Sequence, residues 1–309
     1  MGDQIRDTLW PHSQELIPAM AADWNNATLQ MLDLKFAEAN IRPHARPLRA
    51  AQEILGADFS MFAFGSPEVK AITDAYSALF PQVVSTWPGA GVGLVASGDD
   101  VRRVVLSVMF GRPKPIFLWQ GLGFQAVDAW RTWCRNDPHI AASSSFAFAD
   151  LWDFSYGLNA LGAIDSSAAE LWEGAGSNLA DLGTSLPAAT GVSSLLQPIH
   201  LVAELSLKAG LHCVGANPGR THDLVGLASK LAQVKPHRDD ALLALSVKHF
   251  PNYVESRYKM TGISRLGVVR RALAAQFIAG SSVRRVSSID LALAMEKDSW
   301  PGARQPFLF

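Results

Sequence analysis

Between Gln197 and Val234 apolar residues recur at spacings of three and four, and the break at Gly215–Gly219 divides that pattern into two helices. The first has Pro198 in its opening turn and Glu204 and Lys208 as an i,i+4 pair in the favourable order. The second takes Thr221 as its cap and aligns Leu224, Leu227, Leu231 and Val234 beneath Arg220, His222 and Asp223. The same period returns from Ile263 to Gly280, with Leu266, Val269, Leu273 and Phe277 on one stripe and Arg265, Arg270 and Arg271 off it. Shorter helices read over Ser166–Leu182, His237–Lys248 and Ser287–Lys297. Together these predict an antiparallel helical bundle with Leu224, Leu227, Leu231, Leu266, Leu273 and Phe277 inside.

The first half is less regular. Met1 to Asn40 reads as one or two amphipathic helices, and the segment from Arg42 to Arg49, broken by Pro43 and Pro47, opens a helix that ends at Gly56. Ser66-Pro67-Glu68 starts another that runs to about Phe80. Asp58 to Gly65 is too short to assign to strand or helix. Pro81 to Gly98 is the least helical stretch and contains one short strand, Val92–Ala96; Asp99 and Asp100 are read as opening a helix through Val108. Asp137-Pro138 and Ser143–Ser145 read as a loop, with the boundary between halves near Gly162. The expected fold is mainly α: a mostly helical part over residues 1–162 and a helical bundle over 163–309.

Composition supports that class. The 309 residues are 49% hydrophobic, enough for sizeable cores, and rich in Ala and Leu. The two cysteines provide no disulfide framework and suit a reducing compartment. The acidic start lacks the pattern of a signal peptide, and no apolar run is long enough for a membrane span, so the expectation is a cytoplasmic protein with no membrane partner. Net charge is −1, but residues 1–199 hold 12 Lys/Arg against 20 Asp/Glu, and residues 200–285 hold 13 against 5. Either the basic half attracts a phosphate-bearing ligand such as RNA, or the two halves neutralise one another.

Local motifs add little chemistry. Gly121-Leu122-Gly123-Phe124-Gln125-Ala126 fits G-x-G-x-x-A after PIFLW, a possible strand, but no βαβ series surrounds it, so turn glycines are the simpler reading. PGAGVGLVASG lacks the Lys and Ser/Thr of a phosphate loop. The serine triplet has no G-x-S-x-G context, and Asp150 and Asp153 share a spacing but no partner that would assign them to a metal or to acid–base work. No cofactor is expected, and no DNA-binding motif is present.

The segment AELSLKAGL, the following THDLVGLASKL, and FPNYVESRY ending at Tyr258 resemble the HEPN family of helical, nucleotide-associated domains over roughly Ser166 to Gly280. The landmarks are Ala203-Glu204 with Lys208, then His222-Asp223-Leu224, then Arg257-Tyr258. The resemblance implies a helical bundle that pairs as a homodimer and handles a nucleotide or RNA. Many of its members are ribonucleases with an Arg four to six residues before a His; here only Arg6 and His12 have that spacing, outside the resembling half. The expectation is therefore a non-catalytic nucleotide- or RNA-phosphate-binding or protein-interaction module. A ribonuclease with altered residues is the alternative, and a dinucleotide-cofactor enzyme is third. The candidate ligand-binding residues are Arg220, His222, Arg257 and Lys208, with Lys208 either paired to Glu204 on the surface or turned inward toward Arg257. No catalytic or metal-binding residue is assigned.

Overall fold

The computed structural model describes residues 24–56, 66–81, 90–106, 117–162, 164–251 and 262–298, together with Gly302, Arg304, Pro306 and Phe307. Among these the chain is mainly helical, with a single two-stranded sheet. It divides into two compact units, Met1–Trp87 and Pro88–Phe309. The contact division thus falls at 87/88 and not at Gly162, which lies in the turn between two helices that both pack on the same strand.

In the first unit, α1 (Asn26–Glu38), α2 (Arg46–Leu55) and α3 (Pro67–Leu79) enclose a small core. Asn25 and Thr28 cap α1 reciprocally, and Ser66 Oγ accepts from Val69 N at 3.2 Å to start α3. Leu29, Leu32 and Phe36 of α1 meet Val69, Ile72 and Tyr76 of α3, all buried at helical spacing. The buried Tyr76 hydroxyl donates to Asp33, which also pairs with Arg46 at 3.0 Å. Burial first, and then the Asp33 carboxylate, raise the Tyr76 hydroxyl well above its ordinary pKa. The segments Met1–Asp23 and Asp58–Gly65, with Arg6 and His12, lie outside the described residues.

The second unit begins with a hairpin, β1 (Gly91–Ser97) and β2 (Asp100–Leu106). The strand expected at Val92–Ala96 is present, but the helix expected from Asp99 is instead β2. Two features explain the difference. Ser97 pairs with Asp100 across a two-residue connection in which Gly98 has φ +63°, and Val101, Val104 and Leu106 are buried along a strand of β-branched residues.

The unit continues with α4 (Leu118–Gly121), α5 (Val127–Trp133), α6 (Pro138–Ala160), α7 (Ser166–Ser185), α8 (Leu196–Cys213), α9 (Leu224–Val234), α10 (Asp240–Val247), α11 (Arg265–Arg284) and α12 (Leu291–Lys297), of which α6, α7 and α11 pack on β1. The loop expected at Asp137-Pro138 and Ser143–Ser145 is part of α6. Asp137 is its N-cap and Pro138 its first residue, while Ser144 and Ser145 return their hydroxyls to Ala141 O at 3.0 and 2.7 Å, so a serine run is tolerated inside a buried helix. G-x-G-x-x-A does not follow a strand within the described residues: Gly121 ends α4, and Gly123 turns the chain at φ +79°.

α11 is the axis of the unit, packed on α6 and α8 and buried continuously from Ala272 to Arg284. Leu224, Leu227, Leu231, Leu273 and Phe277 lie in the core as expected, whereas Leu266 is half-buried and Val234 is exposed. Two glycines permit backbone contact: a Cβ at Gly183 of α7 would stand 2.6 Å from Gly93 O, and one at Gly280 of α11 would stand 2.7 Å from Asp150 O. Gln276 of α11 completes the seat of β1. Its side-chain amide accepts from Leu94 N and donates to Leu94 O, both at 3.0 Å, and donates to Ala147 O at 2.6 Å.

Candidate binding site

The sequence points to the corner where α8 meets the loop ahead of α9. α8 presents His200, Glu204 and Lys208 one turn apart, so the three lie on one face. Glu204 is buried, not a surface residue. Lys208 Nζ bonds its Oε1 at 2.7 Å, His222 Nδ1 lies 2.9 and 3.0 Å from its two oxygens, and His200 Nε2 is 3.7 Å away. His200 Nε2 also donates to His222 O at 3.3 Å, so both side chain and backbone of His222 are tied to α8. Burial, opposed by the Glu204 charge, lowers the His200 pKa, which favours a neutral ring. The resulting arrangement is a carboxylate clamp that fixes the α8–α9 loop.

Of the four candidate residues, this places Lys208 and His222 together through Glu204. Arg220 is exposed on the same loop, and Arg257 lies outside the described residues. The cap of α9 also differs from the expectation. Asp223, not Thr221, is the N-cap and accepts from Val225 N at 3.0 Å; Thr221 Oγ1 instead accepts from Asp223 N at 3.1 Å. The helix end that was to receive a phosphate thus already holds the chain's own carboxylate. Sequence spacing could have identified Glu204 as the hub, since His200-x3-Glu204-x3-Lys208 sets an imidazole and an ammonium one turn either side of one acid.

A second polar cluster was not anticipated. Arg284, at the end of α11 and fully enclosed, bonds Asp150 at 3.0 Å, Asp153 at 2.9 Å and Asp239 at 2.8 and 3.0 Å. Asp153 in addition accepts from Leu291 N at 2.6 Å and Ala292 N at 3.2 Å, which seats α12. Arg285 bonds Asp240 at 2.7 Å and Lys235 O at 2.6 Å, and Arg238 joins Asp290 and Glu296, each at 2.6 Å. Part of the positive excess of residues 200–285 is therefore matched inside the chain, with Asp150 and Asp153 drawn from the acidic portion. Burial works to raise the Asp239 carboxyl, but His237 and Arg284 outweigh it and hold it well below the carboxylate range.

Asp153 goes the other way, with burial, opposed by Arg284 and the two backbone donors, raising it to about 6. A carboxyl whose folded pKa is raised binds its proton more tightly when folded, so stability increases as pH falls through about 6 toward the ordinary value of 3.8. A shift of that size corresponds to about 3 kcal/mol at most. Because the lowered His200 pKa acts in the opposite sense over the same range, the gain is read as a difference: in denaturant titrations between pH 7 and pH 4.5, wild type is expected to gain stability relative to Asp153→Asn as pH falls. Wild-type and Asp153→Asn stabilities that stay parallel over that window would contradict the assignment.

α9 and α10 also border an open groove of about 570 Å³, lined by Val225, Ala228, Ala232, Ala244 and Val247 with Asp240 and Lys248 at its rim. Val225 and Leu245 are about half exposed there or beside it, at 48% and 49%. Among the described residues no cluster of His, Cys, Asp or Glu is arranged to hold a metal ion, and no helix is long and apolar enough to cross a membrane. No protein-family model, curated protein or solved structure matches the chain.

Proposed function

We propose that the protein is a non-catalytic helical interaction module that pairs with a second copy of itself through the α9–α10 groove. The observation that carries this reading is the composition of the α10 face. Ala241 and Ala244 are exposed and small enough for another helix to approach closely, and the apolar groove floor continues beside them. Lys248, exposed at the end of α10, borders the same face, while Asp240 at its start is already held by Arg285 and by His237 N.

Sedimentation velocity tests the pairing. Wild type is expected to sediment as a dimer at micromolar concentration, while Ala244→Arg, a substitution at an exposed position, sediments as a monomer with an unchanged circular dichroism spectrum. A wild type that remains monomeric at these concentrations would sink the proposal.

A second reading retains the nucleotide- or RNA-phosphate ligand, because Lys208 and the half-exposed His222 share a corner with the exposed Arg220. Glu204 and Asp223 oppose it by supplying negative charge at that corner. Titration of labelled RNA and nucleoside triphosphates at several salt concentrations separates the two: binding that weakens with salt and is lost in Arg220→Ala supports the phosphate reading. Binding unaffected by that substitution counts against this corner, and RNA cleavage would restore the ribonuclease alternative.

A further inference from the structure

Arg304 and Phe307, which follow α12 in the chain, lie at the ionic cluster and fill a site there. Arg304, 9% exposed in its side chain, bonds Asp150 through both terminal nitrogens, Nη1 to Oδ2 at 2.9 Å and Nη2 to Oδ1 at 2.8 Å. Its guanidinium carbon lies 4.6 Å from the Phe146 ring centroid and 5.0 Å from that of Phe277, and Nε is 3.7 Å from Glu296. Phe307 meets Phe277 in a tilted ring contact, with centroids 5.7 Å apart and planes at 49°. A carboxylate that takes both terminal nitrogens, with two aromatic rings within cation–π distance of the bound group, is the arrangement that recognises a guanidinium.

The walls of this site belong to helices that are held together without the segment. Asp150 and Asp153 on α6 and Asp239 ahead of α10 all bond Arg284, so removing Arg304 leaves the carboxylate in place. It also leaves three carboxylates around one guanidinium, an excess of negative charge that attracts another cation.

We propose that Asp150, Phe146 and Phe277 form a receptor for an arginine-bearing peptide segment with an aromatic residue three positions after the arginine. Arg304 and Phe307 occupy it as a tethered ligand. A partner segment of the same chemistry binds when this strap is displaced. The site is distinct from the α9–α10 groove and does not depend on the pairing proposed above.

The test uses the full chain carrying a protease site between Asp298 and Gly302, cut after folding and freed of the released piece. A labelled peptide spanning Gly302 to Phe309 is then titrated by fluorescence anisotropy. The cut protein is expected to bind it, the uncut protein is not, and the peptide with Arg304→Ala should bind roughly tenfold or more weakly. Uncut protein carrying Arg304→Ala should admit the wild-type peptide. Equal binding of both peptides, or no binding by a cut protein that keeps its fold, would overturn the proposal. If cutting unfolds the protein, uncut Arg304→Ala decides the matter: failure to bind, or loss of its own fold, makes the segment an ordinary part of the core.

Discussion

Arg284→Ala is expected to lower the unfolding free energy by roughly 3–5 kcal/mol, because it leaves Asp150, Asp153 and Asp239 buried without the cation they share. The loss exceeds that of a truncated apolar side chain with similar contacts, since desolvated carboxylates interact poorly with anything but a matched donor. Arg284→Lys should recover only part of it, as one ammonium cannot reproduce bonds from Nε, Nη1 and Nη2 to three different acids. Equilibrium urea unfolding measures both. A loss below about 1 kcal/mol for Arg284→Ala would show that the carboxylates find other partners or take up protons at little cost.

Gln276→Leu should be nearly as damaging, although it replaces a buried polar residue with an apolar one of similar size. Among the described residues β1 has a strand neighbour, β2, on one side only; on the other, Gln276 takes the place of a neighbouring strand at Leu94. Leucine would leave Leu94 N–H, Leu94 C=O and Ala147 C=O without this partner in the core, at about 1–3 kcal/mol for each group that water cannot reach. Gln276→Glu offers an acceptor for Leu94 N but repels both carbonyls, so it should not rescue. Amide hydrogen exchange at Leu94 gives a local readout: protection lost there while the rest of β1 stays protected is the expected pattern. Full protection at Leu94 in Gln276→Leu would mean that the amide bond is dispensable.

The two effects share an origin. Asp150 and Gln276 face each other's elements near the α6–α11 crossing, where Gly280 lets the helices approach until only backbone separates them. Buried polar groups there are satisfied by residues far away in sequence, which is why neither was marked as important by its neighbours in the chain.

What the sequence determined by itself was the local part. The 3.6-residue period over Leu224, Leu227 and Leu231 already specified the buried face of α9, and that over Leu273 and Phe277 marked core positions of α11 but not its burial on every side from Ala272 to Arg284; the mainly helical class followed from these periods. Ser66-Pro67 located the start of α3 and Gly56 the end of α2, because capping and φ preferences act within a few residues. The same local rules misjudged Asp99–Val108 and Ser143–Ser145. The first was read by its acids and not by the Gly98-Asp99 hairpin turn, and the second carries loop-forming serines that a helix accommodates once it is buried and its hydroxyls turn back on Ala141.

Tertiary structure alone decided the polar partnerships. Glu204 and Lys208 were legible as a pair from their spacing, but that the acid is buried and reaches His222 depends on how the α8–α9 loop folds back. The joining of Arg284 and Arg304 to Asp150 spans more than 130 positions and rests on the crossing of α6 with α11 and on the position of Arg304 against α6. Periodicity records which residues avoid water; it carries no record of which distant charge each buried charge will meet, since that pairing is fixed by the packing of helices and not by any pattern within one.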